Sequence, residues 1–362
     1  MKSVLKVLGA VVGSAALTGL VACGGSSDTL TSTQSFTSTV LVSDGAVPAA
    51  HTDPNLKNSW GIAFNPKGFF WVADNATSVV TLYDGNGTPQ SLIVSIPDGL
   101  NGAANPTGIV FNGTTDFMVT QGGKSGVAAF IFTGEGGTIT AWAPAVAPTT
   151  AIIMFDDGNG GAVYKGLALA SNGSANFLYA TDFHNNKIDV FDRSFTKVAM
   201  PGKFQDPTLP AGFAPFGIQA IDSKLFVTYA QQNAEKHDDV HGAGLGFVDV
   251  FDTAGNLLQR FASAGPLNAP WGIAQAPVNF GRFSGNVLIG NFGDGKINAF
   301  DPTTGESLGA LTQSDGSTFV QDGLWGIAFG NGLDNQPVNT LFFAAGPNEE
   351  ANGVYGRIDL KM

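Results

Sequence analysis

Cysteine is nearly absent from this chain: its 362 residues include one, Cys23, so no intrachain disulfide can form. Charge is sparse as well. Asp, Glu, Lys and Arg make up 13% of the residues, and the basic ones number 17 against 29 acidic. The resulting net charge of −12 disfavours nucleic acid and anionic membrane surfaces as partners. No G-x-S-x-G elbow, P-loop or dinucleotide fingerprint stands in a supporting context. What the chain does have is 49 Gly and 28 Phe, a turn-rich and β-rich composition that excludes a helical or disordered class.

The N-terminus is set apart from the rest. Lys2 and Lys6 are the only charges before Cys23, and the uncharged stretch Val7 to Ala22 resembles a secretory signal. That stretch is too short and too rich in Gly and Ser for a membrane span. It ends in Leu20-Val21-Ala22-Cys23-Gly24, which looks like a bacterial lipobox with Cys23 as the lipid attachment point. An ordinary signal peptide with an incidental cysteine is the plainer alternative. The expected organisation is a signal peptide over 1–22, a lipidated Cys23 with a flexible tether to 35, and one folded domain over 36–362. The protein is then expected to be exported to a bacterial cell envelope, periplasm-facing or on the cell surface, held to a membrane through lipid at Cys23.

Six times a Gly is followed by a short apolar run: "SWGIAF" (59–64), "PTGIVF" (106–111), "YKGLAL" (164–169), "PFGIQA" (215–220), "PWGIAQ" (270–275) and "LWGIAF" (324–329). Gly61, Gly108, Gly166, Gly217, Gly272 and Gly326 are spaced by 47, 58, 51, 55 and 54 residues. A period of this size signals stacked or radial copies of one unit. Each copy continues with aromatic and β-branched runs, such as "GFFWVAD" (68–74) and "VVTLYD" (79–84), parted by Gly, Asn, Asp and Pro. Four short antiparallel strands per copy describe a propeller blade, and six copies predict an all-β, six-bladed β-propeller. The second copy carries an insertion, "GTTDFMVTQGGKSGV" (113–127). The last copy ends without a fourth strand, so "SFTSTVLVSDG" (35–45) is expected to supply it and close the ring. A residue without Cβ suits an innermost strand crowded around a channel, and the aromatics Trp60, Phe216, Trp271 and Trp325 are expected to fill wedges between blades.

The segment "HTDPNLKNSWGIAFNPKGFFWVADN" (51–75) closely resembles an uncharacterised bacterial family of secreted six-bladed propellers. Further matches are "FIFTGEGGTITAWAP" (130–144), "FVTYAQQNAEKHDDVHGAGLGFVDVFD" (226–252) and "APWGIAQAPVNFGRFSGNVLIGNFGDGKINAFD" (269–301), so the likeness spans about 36–360. The resemblance implies the fold and export, and carries no established activity. More distantly, the copies look like NHL repeats and the gluconolactonase/senescence-marker propellers, whose metal-binding motif has no match here.

Ligands of propellers usually occupy one face of the channel, built from the loops into the first strand and those between the second and third. The latter loops begin at Asp74-Asn75, Glu135, Asp182-Phe183-His184, Gln231, Asn291 and Asn348. This ring offers oxygen ligands, with Asp74, Glu135, Asp182 and Asn291 as the metal candidates and Ca²⁺ or another divalent cation as the cofactor. Against it stands the ordinary habit of Asp and Asn to end strands and satisfy backbone N–H groups. The longest such loop, "AQQNAEKHDDVHGAGLG" (230–246), gathers His237, Asp238, Asp239 and His241, a second cluster suited to a transition metal or to acid–base work and equally to an exposed polar loop. "FDDGNGG" (155–161) lacks the terminal Glu of a calcium loop and reads as a turn.

The leading functional expectation is a lipid-anchored, monomeric binding or interaction propeller for a protein, glycan or small molecule, with a metal as a candidate occupant of the channel. A metal-dependent hydrolase of the lactonase type, using Asp74, Glu135, Asp182, Asn291 or His184, is the alternative. A structural envelope protein without catalysis is the third.

Overall fold

The innermost strand of each copy runs through the repeated Gly into an apolar run. The computed structural model describes residues 34–361, and in it these runs become the first strands of six blades. The signal stretch, Cys23 and the tether to residue 33 lie outside the described residues.

Blade 1 is built from Ser59–Phe64, Phe70–Asp74, Val79–Tyr83 and Val94–Ser95 in antiparallel order. Blades 2, 3 and 5 repeat the plan, starting from Pro106–Phe111, Tyr164–Ser171 and Pro270–Gln275. The insertion in blade 2 folds into its own hairpin, Met118–Gln121 with Lys124–Val127, which leaves the blade's four strands intact. Blade 4, starting with Phe213–Ile221, gains a fifth strand when Asp239–Val240 pairs with the extended second strand Lys224–Gln232. Blade 6 joins the two ends of the chain: Ser35–Ser43 lies antiparallel to Val354–Lys361, with Ser35 opposite Lys361 and Ser43 opposite Val354. His51–Thr52 then extends that edge in parallel. The expected closing strand is therefore present, beginning at Ser35.

In all six blades the register between first and second strand shifts at the repeated glycine. Such a bulge bends the strand and re-aims the side chain beside it. The glycines are required by proximity. A Cβ on Gly61 would lie 2.4 Å from the Thr107 carbonyl oxygen of blade 2, one on Gly217 2.1 Å from that of Trp271, and one on Gly326 2.6 Å from that of Trp60. Each glycine thus abuts the backbone of the next blade's first strand, and the last abuts the first.

The hydrophobic core lies mostly between neighbouring blades, as in the cluster of Trp71, Phe130, Phe132 and Trp142 between blades 1 and 2. The repeat aromatics behave differently from expectation. Trp60, Phe216, Trp271 and Trp325 leave the wedges to other side chains and converge on the channel axis with Phe183 and Phe292. The cause is the bulge, which turns the residue before each glycine inward rather than sideways.

Candidate functional site

The six first strands run in the same sense, so the channel has two unlike ends. At the ends of the strands a vestibule of about 470 Å³ is walled by side chains such as Ile62, Phe64, Phe111, Ile273 and Phe329, with Gln219 and Gln275 among the polar exceptions. Midway, the glycines narrow the passage to a space of about 40 Å³. At the starts of the strands the aromatics close it. The Trp60 and Trp325 rings stack with centroids 3.5 Å apart, Phe292 stacks on Trp325 at 4.1 Å, and Trp271 meets both tryptophans edge-on at 5.8 Å.

On this aromatic floor sits Lys165. It occupies in blade 3 the position that Trp60, Phe216, Trp271 and Trp325 hold in blades 1, 4, 5 and 6. Its side chain is 2% exposed, and its Nζ lies 5.0 Å from the Trp60 ring centroid and 5.9 Å from that of Phe183. A buried ammonium is costly unless paired. Lys165 pairs with Glu135 of blade 2 and lies 3.6 Å from Asp238 of the blade 4 loop. Burial pulls its pKa down, but the charge and hydrogen bond of Glu135, aided by Asp238 and Glu350, reverse that and hold it above the ordinary lysine value.

Polar contacts run from this pair across the mouth. Asn75 Nδ2 donates to Glu135 Oε2 at 2.8 Å and to the Asn105 carbonyl at 3.2 Å. Asn58 Nδ2 donates to Asn75 Oδ1 at 3.3 Å and to Glu350 Oε2 at 2.5 Å, while Trp325 Nε1 donates to Asn58 Oδ1 at 3.2 Å. At the other end, His237 Nδ1 and Asp238 Oδ1 are 2.7 Å apart. One chain of polar contacts therefore links Glu350, Asn58, Asn75, Glu135, Lys165, Asp238 and His237 across blades 6, 1, 2, 3 and 4. Asn101, Glu135, His184, Glu235 and His237 border a cleft of about 350 Å³ beside it.

The electrostatics follow from burial. Desolvation pushes Glu350 up to about 7, against the hydrogen bond from Asn58. Desolvation likewise raises Asp239 to about 6, with Lys165 and His241 opposing. The hydrogen bond to Asp238 raises His237, and the same contact lowers Asp238.

The structure brings some of the sequence candidates together and not others. Asn75, Glu135, His184, His237, Asp238 and Asp239 border the mouth. Asp74 is buried within blade 1, where Ser59 Oγ and Thr81 Oγ1 donate to it at 3.0 and 2.7 Å. Burial raises its pKa well above the usual carboxylate range, and these hydrogen bonds oppose the rise. Asp182 accepts from the Val163 and Asn185 backbones and from Asn185 Nδ2 at 2.8 Å, ending its strand. Asn291 Nδ2 is spent on the Pro266 carbonyl and Asp294, at 2.8 and 2.9 Å. Gln231 sits in the ladder opposite Val240, and Asn348 is exposed, donating to Asn352. His241 is largely exposed, 3.8 Å from Asp239. "FDDGNGG" ends a strand at Asp156 and turns through the short 3-10 segment Gly158–Gly160.

Glu135, His237 and Asp238 bring one ligand atom each within 4.8 Å of one another, a metal-like convergence. Lys165 already stands against two of the three. Sequence reasoning missed Lys165, Glu350 and Asn58. For Lys165 a signal existed: among the six residues preceding the repeated glycines, it alone is charged.

No family model matches the chain. Among solved structures, virginiamycin B lyase from Staphylococcus aureus superposes with a TM-score of 0.52 at 16% identity, covering 90% of this chain and 100% of that one. A protein of unknown function from Bacteroides thetaiotaomicron gives 0.54 at 14% identity, covering 91% and 76%. At these identities the likeness is one of fold. Two relatives are much nearer in sequence. Uncharacterized protein R648 of Acanthamoeba polyphaga mimivirus is 34% identical over 325 residues, 88% of this chain and 78% of that protein. Uncharacterized protein L690 of the same virus is 32% identical over 326 residues, covering 88% and 84%. These relatives are viral, where the sequence motifs had suggested bacterial ones. The chain belongs to the propeller family that includes the mimivirus proteins R648 and L690.

Proposed function

We propose that this protein is a binding propeller that takes a small polar ligand at the mouth around Lys165. One observation carries the reading: titratable side chains from four blades are gathered over an aromatic floor at one end of the channel, while the residues lining the vestibule at the other end include no titratable side chain. An aromatic floor with a few convergent polar groups and shifted pKa values above it has the usual marks of a ligand site. A thermal-shift screen of soluble glycans and small polar molecules tests this, run on wild type and on His237→Ala, whose half-exposed side chain leaves the fold alone. Hits should lose their effect in His237→Ala. Hits that keep it, and respond instead to Gln219→Leu in the vestibule, would sink the proposal.

A second reading is a metal-dependent hydrolase of the lactonase type. The convergence of Glu135, His237 and Asp238 favours it: these three would hold Ca²⁺ or another divalent cation, which would polarise a substrate carbonyl. The Lys165 ammonium opposes it by standing where such an ion would bind. Metal analysis of purified protein decides: no copurifying metal and no change in melting temperature with added Ca²⁺ would remove the hydrolase. The same proposal places the protein in a bacterial cell envelope, anchored by lipid at Cys23. Cys23→Ser should then release it from membranes, and continued membrane association would contradict the anchor.

A further inference from the structure

The tip of the blade 4 loop holds one imidazole in a fixed setting. Asn233 Oδ1 accepts from the backbone N–H groups of His237 and Asp238 at 3.0 and 3.3 Å, and the Asn233 N–H donates to the Asp238 carbonyl at 2.8 Å. His237 Nδ1 then meets Asp238 Oδ1 at 2.7 Å, and the Lys165 ammonium lies 3.6 Å from that same oxygen. A carboxylate on Nδ1 sets the tautomer of the neutral ring, so Nδ1 carries the proton and Nε2 keeps its lone pair. The His237 side chain is 45% exposed and borders the cleft of about 350 Å³, which it shares with Asn101, Glu135, His184 and Glu235. An oriented base thus faces a space open to small molecules.

We infer that the cleft hydrolyses a small uncharged carboxylic ester, with His237 as the general base and Asp238 as its positioning residue. This rests on the binding reading above and gives that mouth a reaction. Water attacks the ester carbonyl carbon and yields a proton to His237 Nε2 as the new C–O bond forms. The tetrahedral intermediate then breaks its bond to the alkoxy oxygen, which takes that proton and leaves as the alcohol, freeing the acid. Three observations select this chemistry. None of the residues bordering the cleft carries a hydroxyl or thiol, so water is the nucleophile. Abstracting a proton beside a carbonyl would need a cation at the enolate oxygen, and Lys165, 2% exposed and paired with Glu135, is withdrawn from that role. Glu135 and Glu235 border the cleft and repel an anionic substrate, while Asn101 and His184 offer N–H donors to the carbonyl oxygen.

The groups that set the basicity of His237 are Asp238, whose hydrogen bond raises it, Lys165, which with burial lowers it, and Glu135, which raises it; Glu235 and His184 share the cleft. Hydrolysis of 4-nitrophenyl acetate by the whole protein in EDTA, followed from about pH 5 to about pH 9, tests the assignment. The rate should rise to a plateau as His237 loses its proton, and should fall in D₂O because a proton moves as water attacks. His237→Ala should lower kcat/KM by about a hundredfold, and added imidazole should restore part of it. Asp238→Asn removes the contact that raises His237, so the inflection should move to lower pH. Both side chains are exposed enough for the variants to melt as wild type. No turnover, full activity in His237→Ala, no slowing in D₂O, loss of activity in EDTA, or an unmoved inflection in Asp238→Asn would each overturn the inference. Ligands that bind and are lost in His237→Ala, with no ester turnover, would overturn it while leaving the binding mouth standing. Turnover that needs His237, with no ligand found at the mouth, would count against the binding reading alone.

Discussion

The two mouths of the channel are opposite ends of the same six strands, yet they share little chemistry. The vestibule keeps to the repeat: the run after each glycine is apolar in nearly every copy, and the wall it makes is correspondingly uniform. The other mouth is made from departures. Lys165 replaces an aromatic, the blade 4 loop is long enough to reach over the centre, and the blade 6 loop continues past Asn348 to deliver Glu350. Periodic positions build the ring, and the positions that break the period carry the charge.

Four substitutions sharpen or break this contrast, taken from the largest expected effect downward. Lys165→Met strands the Glu135 carboxylate, 9% exposed, without its partner, and should cost about 3–5 kcal/mol in denaturant unfolding. Adding Glu135→Gln should restore most of that. A cost below about 1 kcal/mol would mean that the mouth is as plain as the vestibule. Gly217→Ala probes what both mouths share. Its Cβ would fall 2.1 Å from the Trp271 carbonyl oxygen, so blades 4 and 5 must part, at about 1–3 kcal/mol.

Glu350→Gln should work in the other direction and depend on pH. Desolvation raises the folded-state pKa of Glu350 from 4.5 to about 7, so its favourable contribution is complete below the unfolded value and is lost as pH rises through the folded one. The glutamine escapes that loss. The variant should be more stable than wild type by about 1–3 kcal/mol at pH 8 and equal to it at pH 4, as read from paired urea melts. A gain that does not fade in acid would contradict the burial of this carboxyl. Gln275→Leu, in the vestibule wall, should shift stability by less than about 0.5 kcal/mol and leave binding at the far mouth unchanged.

The fold was legible because its signals are local and repeated. The glycine spacing counted the blades, the 113–127 insertion predicted an irregular second copy, and the missing sixth outer strand pointed to residues 35–45. The site was only partly legible. Acids and amides that end strands look alike in sequence, but the structure gives Asp74 and Asp182 to neighbouring hydroxyls, amides and backbone N–H groups, whereas Asn75 and Glu135 reach across to other blades. Which way a strand-end carboxylate turns depends on partners far along the chain, such as Asn58 for Glu350, and no local pattern encodes that. The inward turn of the repeat aromatics was hidden for a similar reason. It needs the register shift, which exists only once two strands have paired.

The seam in blade 6 has a consequence for how the ring comes into being. Phe36 is paired with Leu360, so the first described strand to leave the ribosome finds its partner last. Closing so long a loop adds little thermodynamic cost, because loop entropy grows only logarithmically, but it places a non-local pairing at the end of the route. Until then blade 6 exposes a raw edge, and the ring remains able to spread at its glycine contacts. Once the strand is seated, the gathering of charge around Lys165 has a fixed circumference.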